Sequence, residues 1–365
     1  MNFALSAYTR SQLEKYMAHQ ASINHLQVAT LANRYSVDPA VQQRLENAAK
    51  DSTELTQKIN VIGVHDQEGE KVLIDTTGPI ARTNSTSDGS KRRNPIPAHD
   101  LAARRYRCEQ VNYDTYISYP QLDAWSSQPG FAANISKQIA RQIALDRIMI
   151  GFNGTNHALV SDFAANPRLQ DVNTGWLEHI RTQAAARVMK GVTLATRDMN
   201  NKIIAKGDYT NPDALIEDAR SSLLDEWYKD ADDLVVLMSR SLFNSMRLPF
   251  INAMSATSPN AELLTGQLIV ASRLVGGLPT FFAPFFPDNA MLITSFSNLS
   301  IYFQKGTLRR LIREEPEYNR IATYQSMNDA YVVEDYGKCA LIENLKFAPE
   351  PETKPDADGD TGAAA

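Results

Sequence analysis

The sequence predicts an α+β protein, and three observations carry that prediction. A long helix is expected within residues 128–154, QPGFAANISKQIARQIALDRIMIGFNG. A two-stranded excursion is expected before it, over residues 58–119, and strand-like segments dominate residues 290–345. Between these parts, a short β-branched run at residues 232–238 is flanked by helical patterns. Helix, strand and helix in succession indicate an additional mixed α/β unit.

The predicted helix has an amphipathic pattern. Pro129 suits the first turn of a helix, where its missing N–H has no partner to lose. Ile135, Ile139 and Ile143 recur every four residues and form an apolar stripe. Gly151 is expected to end the helix, which would be roughly 30 Å long. Its other faces carry charged side chains that are expected to be exposed: Lys137, Arg141, Asp146 and Arg147.

The composition is that of a globular protein. The 365 residues are 43% hydrophobic and 22% charged, enough for two ordinary domains or one elaborated domain. The net charge of -5 argues against a nucleic-acid binder with a basic surface. Cys108 and Cys339 cannot form a disulfide framework and are expected to be buried thiols. No secretory signal or membrane span of ~18 apolar residues is visible, so we expect a protein kept in a cytoplasm.

The excursion is expected to be a long two-stranded arm with a flexible tip. Residues 59–64 and 71–75 are predicted as strands around DQEG at residues 66–69, a hairpin signature. A strand pattern resumes over residues 105–119. Turn-forming residues fill the stretch 76–98, which predicts a mobile, exposed loop. An isolated two-stranded arm is marginally stable in water, so a partner surface is expected.

Basic residues are concentrated at the tip of this arm and on its return strand. Three interpretations are open: a solvated charged loop, a nucleic-acid contact, or docking on an acidic patch of another copy. The basic residues are Lys91, Arg92, Arg93, Arg104, Arg105 and Arg107. The candidate acidic patches are Glu314, Glu315 and Glu317, or Glu334 and Asp335.

The two ends of the chain have weaker patterns. Residues 1–35 are rich in Gln and Ala and predict a helical segment. Its apolar stripe of Leu13, Tyr16 and Met17 is thin, so this segment is expected to need a partner surface to be ordered. Residues 349–365 are rich in Pro, Asp, Glu and Ala and are expected to form a disordered acidic tail.

No constellation of catalytic residues is visible in the sequence. Dinucleotide-binding, P-loop, serine-hydrolase and zinc-protease motifs are absent. The 6 histidines are scattered, and no Cys–His pair has zinc-binding spacing. DADGDTG, starting at Asp356, resembles the start of a calcium loop but lacks its glycine and its final glutamate. We therefore expect no enzyme activity, no cofactor and no metal site.

Several packing sequences recur in an order and spacing typical of a known family. They are VDPAVQQRL (37–45), INVIGV (59–64), IMIGFNG (148–154), NPRLQDVNTGWL (166–177), AMLITSFSNLSIYF (290–303) and MNDAYVVEDY (327–336). Together they resemble the major capsid proteins of P2-like tailed bacteriophages. The resemblance covers residues 36–345 and is weak in residues 1–35, in the tip and in the tail. It brings no active site, because the family has none.

The resemblance implies the HK97-like capsid fold. Residues 36–57 would be the N-terminal arm and residues 58–119 the extended loop. A peripheral domain built on the long spine helix would take residues 120–206 and 290–348. An axial domain would take residues 207–289. In that arrangement the isoleucine stripe of the helix would face its own sheet, and Lys137 and Arg141 would be a candidate seat for a neighbour's loop or arm.

The same resemblance implies a structural function. Such proteins form the pentamers and hexamers of an icosahedral head that encloses double-stranded DNA, with non-specific DNA contacts and no membrane. The implied partners are a scaffolding protein, a maturation protease and a portal at one vertex. The virion would assemble in the host cytoplasm, and residues 1–35 are the candidate segment for removal at maturation. Two alternatives stay open: an encapsulin-like cargo compartment, and an unrecognised soluble enzyme with a mobile lid at residues 76–98.

Overall fold

The computed structural model describes residues 6–71, 81, 105–126, 131–198, 200–255 and 273–349. Within these ranges the chain forms eight α-helices: α1 (Ala7–Ile23), α2 (Pro39–Lys50), α3 (Glu54–Lys58), α4 (Tyr119–Ser126), α5 (Phe131–Asn153), α6 (Trp176–Gln183), α7 (Pro212–Leu223) and α8 (Arg240–Ser255). Apart from Ala81, the predicted lid and loop tip at residues 76–98 lie outside the described residues, as does the tail from residue 350.

The strands of the described chain are mostly short and are grouped toward the C-terminus. They are β1 (Tyr35–Ser36), β2 (Asn60–Val64), β3 (Glu68–Glu70), β4 (Arg105–Arg107), β5 (Glu109–Asn112), β6 (Thr115–Ser118), β7 (Val188–Lys190), β8 (Thr193–Leu194), β9 (Thr196–Arg197), β10 (Ile203–Ala205), β11 (Val235–Met238), β12 (Leu274–Val275), β13 (Leu278–Phe282), β14 (Met291–Thr294), β15 (Leu299–Gln304), β16 (Arg309–Glu315), β17 (Arg320–Val333), β18 (Ala340–Glu343) and β19 (Lys346–Phe347).

The larger sheet has seven strands and is centred on β17. This 14-residue strand pairs antiparallel with β15, β16, β5 and β6. β1 pairs with β16, and β2 runs parallel to β15. The sheet therefore joins the N-terminal arm, the base of the excursion and the C-terminal part of the chain.

The second sheet has six strands in the order β12-β13-β11-β14-β18-β7. β11 runs parallel to β13, β18 runs parallel to β7, and the other neighbours are antiparallel. The predicted boundary between residues 289 and 290 separates β13 from β14, and both flank β11 in this sheet. The proposed axial and peripheral segments thus share one sheet.

The turn predicted at residues 66–69 overlaps the strand β3, and the second predicted strand, residues 71–75, lies outside the described residues beyond Lys71. β2 does not pair with β3; it adds a parallel edge to the large sheet beside β15. β3 pairs with β4, from the return limb, and β5 and β6 belong to the large sheet. Among the described strands of the excursion, only β3 and β4 therefore lie outside the large sheet. A strand's own residues show that it pairs, but its partner is set by distant parts of the chain.

The long helix was predicted too short at its end, and Pro129, predicted in its first turn, lies outside the described residues. Gly151 does not stop α5, which continues to Asn153. A Cβ atom at Gly151 would lie 2.3 Å from the Trp176 ring, so this glycine permits close packing of α5 on α6. Trp176 and Phe152 make an edge-to-face ring contact there, with ring centroids 5.2 Å apart. The glycine marks a close helix contact, and the turn follows at Gly154.

Candidate assembly surfaces

The N-terminal helix α1 lies on the large sheet of its own chain. Leu13 packs in a small cluster with Tyr119, Leu122, Ile312 and Ile321. Arg10 adds a peripheral ion pair with Glu314, at 3.3 Å. The partner surface that residues 1–35 were predicted to need is therefore present within the same chain, formed by α4, β16 and β17.

The apolar stripe of α5 is covered by both the sheet and the N-terminal arm. Ile143 is buried in a cluster that includes Met327 from β17 and Leu31 from the N-terminal segment. Ile139 packs at the edge of this cluster, and Ile135 is half-buried. The stripe faces inward as predicted, but the sheet supplies only part of its cover.

Arg147 was predicted to be exposed, and this prediction is wrong. Its side chain is 3% exposed and binds two carboxylates. Its Nη1 lies 2.5 Å from Glu46 Oε2, while its Nη2 and Nε lie 2.9 and 3.0 Å from the two oxygens of Asp329. The arrangement joins α2, α5 and β17. Arg147 follows Ile143 by four residues and therefore lies on the same face of the helix as the isoleucines. This spacing could have predicted its burial.

The buried network is held by complementary charge. Burial alone would lower the pKa of Arg147, but the carboxylates of Asp329 and Glu46 raise it well above its ordinary value. The Tyr113 hydroxyl donates a further hydrogen bond to Asp329, at 3.1 Å. Asn173 donates to the backbone carbonyl of Asp329, at 2.9 Å. The guanidinium thus fixes the N-terminal arm on the spine helix and the sheet.

The predicted acidic contact residues have different surroundings. Glu315 is 2% exposed and accepts hydrogen bonds from Tyr324, Arg313 and Arg320 of its own chain, at 2.6, 2.8 and 2.7 Å. These bonds lower the pKa of Glu315 to about 2. Glu314 accepts from the Tyr119 hydroxyl at 2.8 Å, and Glu317 is exposed. Of these three, Glu317 is the carboxylate displayed most openly to a neighbour.

The second acidic candidate patch is directed into the fold. Glu334 is buried and accepts a hydrogen bond from the Tyr302 hydroxyl, at 2.9 Å. Burial raises the pKa of the Glu334 carboxyl. The Asp335 side chain accepts from the Gly337 N–H, at 2.6 Å. This pair has local structural partners and offers little to another copy.

The described basic candidates are all on the surface. Arg105 lies on β4 and is exposed. Lys137 and Arg141 lie on the N-terminal half of α5 and are also exposed. Arg107, also on β4, is exposed as well, so the four described basic candidates come from two separate parts of the sequence. The other four candidates lie outside the described residues: Lys91, Arg92, Arg93 and Arg104.

A family model described as "Phage major capsid protein, P2 family" matches residues 12–345. The chain belongs to this family. The match begins inside the N-terminal segment, so the family pattern extends further toward the N-terminus than the motif sequences indicated.

Two relatives and one solved structure support the same membership. The major capsid protein of Serratia phage KSP20 is 53% identical over 344 residues, covering 94% of this chain and 98% of that protein. The "Capsid proteins" relative from Escherichia phage P2 is 38% identical over 341 residues, covering 93% and 94%. A chain from the satellite phage P4 procapsid, a structure that includes the size determination (Sid) protein, is 36% identical with a TM-score of 0.75. That match covers 95% of this chain and 100% of the other.

Membership in the P2 family decides between the functional classes left open by the sequence. The protein is a structural major capsid protein with the HK97-like fold and a component of the phage virion. The relatives are shell components and not enzymes, so the enzyme alternative is wrong. The family is one of phage heads, which also decides against the cargo-compartment alternative.

The described residues of this capsid protein contain no group of His, Cys, Asp and Glu arranged to hold a metal ion. No helix within them is long and apolar enough to span a membrane. Cys108 and Cys339 are both buried, as predicted, and burial raises the pKa of each thiol to about 12. Both thiols are therefore protonated and unreactive at neutral pH.

Proposed function

We propose that this chain forms the pentamers and hexamers of an icosahedral phage head that encloses double-stranded DNA. The observation that carries this proposal is the likeness to a procapsid chain over 95% of this chain, with a TM-score of 0.75. One chain can occupy both kinds of ring because heterologous contacts close under rotation. Weak contacts suffice, because each is repeated many times in a shell.

The partners of this head are a scaffolding protein, a maturation protease and a portal at one vertex. Packaged DNA is held by non-specific contact. The net charge of -5 supports containment of DNA over tight binding by a basic surface. These partner assignments rest on family membership.

The N-terminal segment is the proposed target of the protease. Residues 32–34, which connect it to β1, are exposed, and Asn33 has an extended backbone with φ −107° and ψ 157°. A protease can bind such a segment as a strand. Removal of residues 1–35 would uncover the apolar cluster of Tyr119, Leu122, Ile312 and Ile321 that α1 covers. That newly exposed surface could then be used by a neighbouring subunit. The intact mass of chains from mature particles tests this proposal, and a full-length mass would contradict it.

Charged contacts between copies are proposed to involve the basic excursion. In this proposal Lys91, Arg92, Arg93, Arg104 and Arg105 of one copy approach an acidic surface of another, on which Glu317 is exposed. Lys137 and Arg141 on α5 form a seat for a neighbour's loop or arm. Changing Arg92 and Arg93 to Glu should block shell formation without changing the melting temperature of the unassembled chain. Normal shells from that variant would argue against the contact.

Electron microscopy of the protein expressed with its scaffolding protein tests the function as a whole. The expected result is closed, uniform shells in which image reconstruction resolves both pentamers and hexamers. Open sheets, filaments or unassembled chains under the same conditions would contradict the proposal. Expression without the scaffold is the matched control, and it should give fewer or irregular shells.

A further inference from the structure

The connection between α5 and α6 exposes three large apolar side chains close together. Leu159 is 100% exposed, Val160 87% and Phe163 68%. Elsewhere in the described chain, the exposed large apolar side chains are scattered singly along the sequence. A concentrated apolar surface on a folded chain is typical of a binding site.

This connection is a closed loop with a defined shape. Its neck is formed by Thr155, whose N–H donates to the Gln170 carbonyl at 2.7 Å, and by Ala158, whose N–H donates to the Asp171 carbonyl at 2.8 Å. The carboxylate of Asp171, itself buried, accepts from the Asp162 N–H at 2.7 Å. The loop resembles the compact Ω-loops that often serve a function. The apolar tip is therefore presented by a structured support.

The charges of the loop are used within the chain. The Asp162 carboxylate accepts from the N–H groups of Ala164 and Ala165, at 2.9 and 3.3 Å. Arg168 lies 4.0 Å from Asp288. A nucleic acid would need a cluster of exposed cations here, and the loop supplies only Arg168 beside its apolar tip. The complementary partner is an apolar protein surface.

A groove of about 580 Å³ adjoins the tip, and its lining is mixed, with Asp146 and His157 on its polar side. Leu159 and Val160 line it together with Ile150, Leu169 and Val172. The projecting tip and the groove are thus parts of one patch, here called the loop patch. Every copy of the chain carries both a projection and a recess.

We propose that the loop patch is a contact between two copies of this chain in the shell. This inference rests on the proposed assembly and assigns it a surface. A second copy is the occupant because its apolar tip of Leu159, Val160 and Phe163 can cover the apolar side of the groove, and because a capsid subunit is surrounded by copies of itself. A projection and a recess on one chain can repeat around a ring.

Substituting the tip tests the contact. The variant combines Leu159→Ser, Val160→Ser and Phe163→Ser, and Trp227→Ser is the control, because Trp227 is 50% exposed at an isolated position. We expect the loop variant to keep the melting temperature of the unassembled chain and to need roughly tenfold more protein to form shells. The control should assemble like the unchanged chain.

The outcomes separate this inference from the proposed function. If the unchanged chain forms no shells of pentamers and hexamers, the proposed function fails. If it forms them and the loop variant does so at the same concentration, the loop patch is not a contact. A photo-reactive phenylalanine analogue at position 163 gives a second test that does not depend on the folding of the triple variant. In shells it should cross-link one chain to another, and cross-links confined to one chain or to a different protein would overturn the inference.

Discussion

The two halves of α5 carry similar charged residues in opposite environments. In the first half, Lys137 and Arg141 are exposed on a helix whose apolar stripe is only partly covered. In the second half, Arg147 is buried between two carboxylates and Gly151 is packed against Trp176. The comparison teaches that a side chain on the covered part of the apolar stripe of α5 is buried whether it is apolar or charged. A buried charged side chain such as Arg147 then requires partners of opposite charge.

The largest expected effect is at Arg147. Changing Arg147→Ala removes the cation between Glu46 and Asp329 and leaves two buried carboxylates without their partner. We expect a loss of about 3–5 kcal/mol in the free energy of unfolding, measured by urea denaturation. A loss no larger than that of Lys137→Ala would remove the distinction between the two halves.

Replacing the whole network separates charge from packing. In a variant with Arg147→Met, Glu46→Leu and Asp329→Leu, no buried charge is left unpaired, so most of the lost stability should return. If this variant is as unstable as Arg147→Ala, the hydrogen bond from Tyr113 to the Asp329 side chain matters more than the ion pairs.

A pH effect is expected from His179, on the helix that covers the second half of α5. Burial, with a contribution from Lys71, lowers the pKa of His179 to about 4. An unfolded chain binds this proton near pH 6.5, so the folded state loses stability as the pH falls from about 6.5 to about 4. Each pKa unit corresponds to ~1.4 kcal/mol, so the free energy of unfolding should fall by up to about 3 kcal/mol over this interval.

Thermal melting between pH 7 and pH 4 measures this effect. In His179→Gln the decline in melting temperature over that interval should be shallower than in the unchanged chain. His19→Gln, at an exposed position on α1, is the matched control and should leave the profile unchanged. If the melting temperatures of the unchanged chain and His179→Gln fall in parallel, protonation of His179 is not the cause of the lost stability.

A third test addresses the close approach of α5 and α6. Changing Gly151→Ala should destabilise the fold by about 1–3 kcal/mol, because the new Cβ atom would lie 2.3 Å from the Trp176 ring. Helix propensity alone predicts the opposite sign, since Ala is favoured over Gly by about 1 kcal/mol. Chemical denaturation decides between them, and the added change Trp176→Phe should relieve part of the overlap.

The smallest effect on stability is expected in the first half of α5. The double change Lys137→Ala and Arg141→Ala should alter the free energy of unfolding by no more than about 0.5 kcal/mol, because both side chains are exposed. If they form a seat for a neighbour, shell yield should fall while the melting curve of the unassembled chain is unchanged. A large loss of stability would show that this half is packed more tightly than its exposure indicates.

Local pattern predicted several elements closely. The long helix was expected within residues 128–154 and is observed as Phe131–Asn153. Strand-like segments were expected over residues 290–345, and β14 to β18 are observed there. In these segments, periodicity, β-branching and the flanking turn residues all favour the same structure.

The missed features depend on distant parts of the chain. The parallel pairing of β2 with β15 joins segments more than 200 residues apart, as Asn60 opposite Ser300 shows. The network at Arg147 needs Glu46 and Asp329, which come from two other elements. Contacts between copies are harder still to predict from the sequence, because the two partners belong to different molecules. Sequence reasoning identified charged surfaces, but it could not predict that Glu315 binds residues of its own chain.

The central position of β17 has a consequence for synthesis of the chain. α1 packs on β16 and β17, while β5 and β6 pair directly with β17. These early segments therefore lack their partners in the large sheet until residues 309–333 have left the ribosome. At ordinary elongation rates that delay is on the order of 10–60 s. During it, apolar side chains such as Leu13 and Leu31 are uncovered, and the high contact order of the fold slows their burial afterwards. We expect the newly made chain to depend on chaperones before it depends on any partner of the shell.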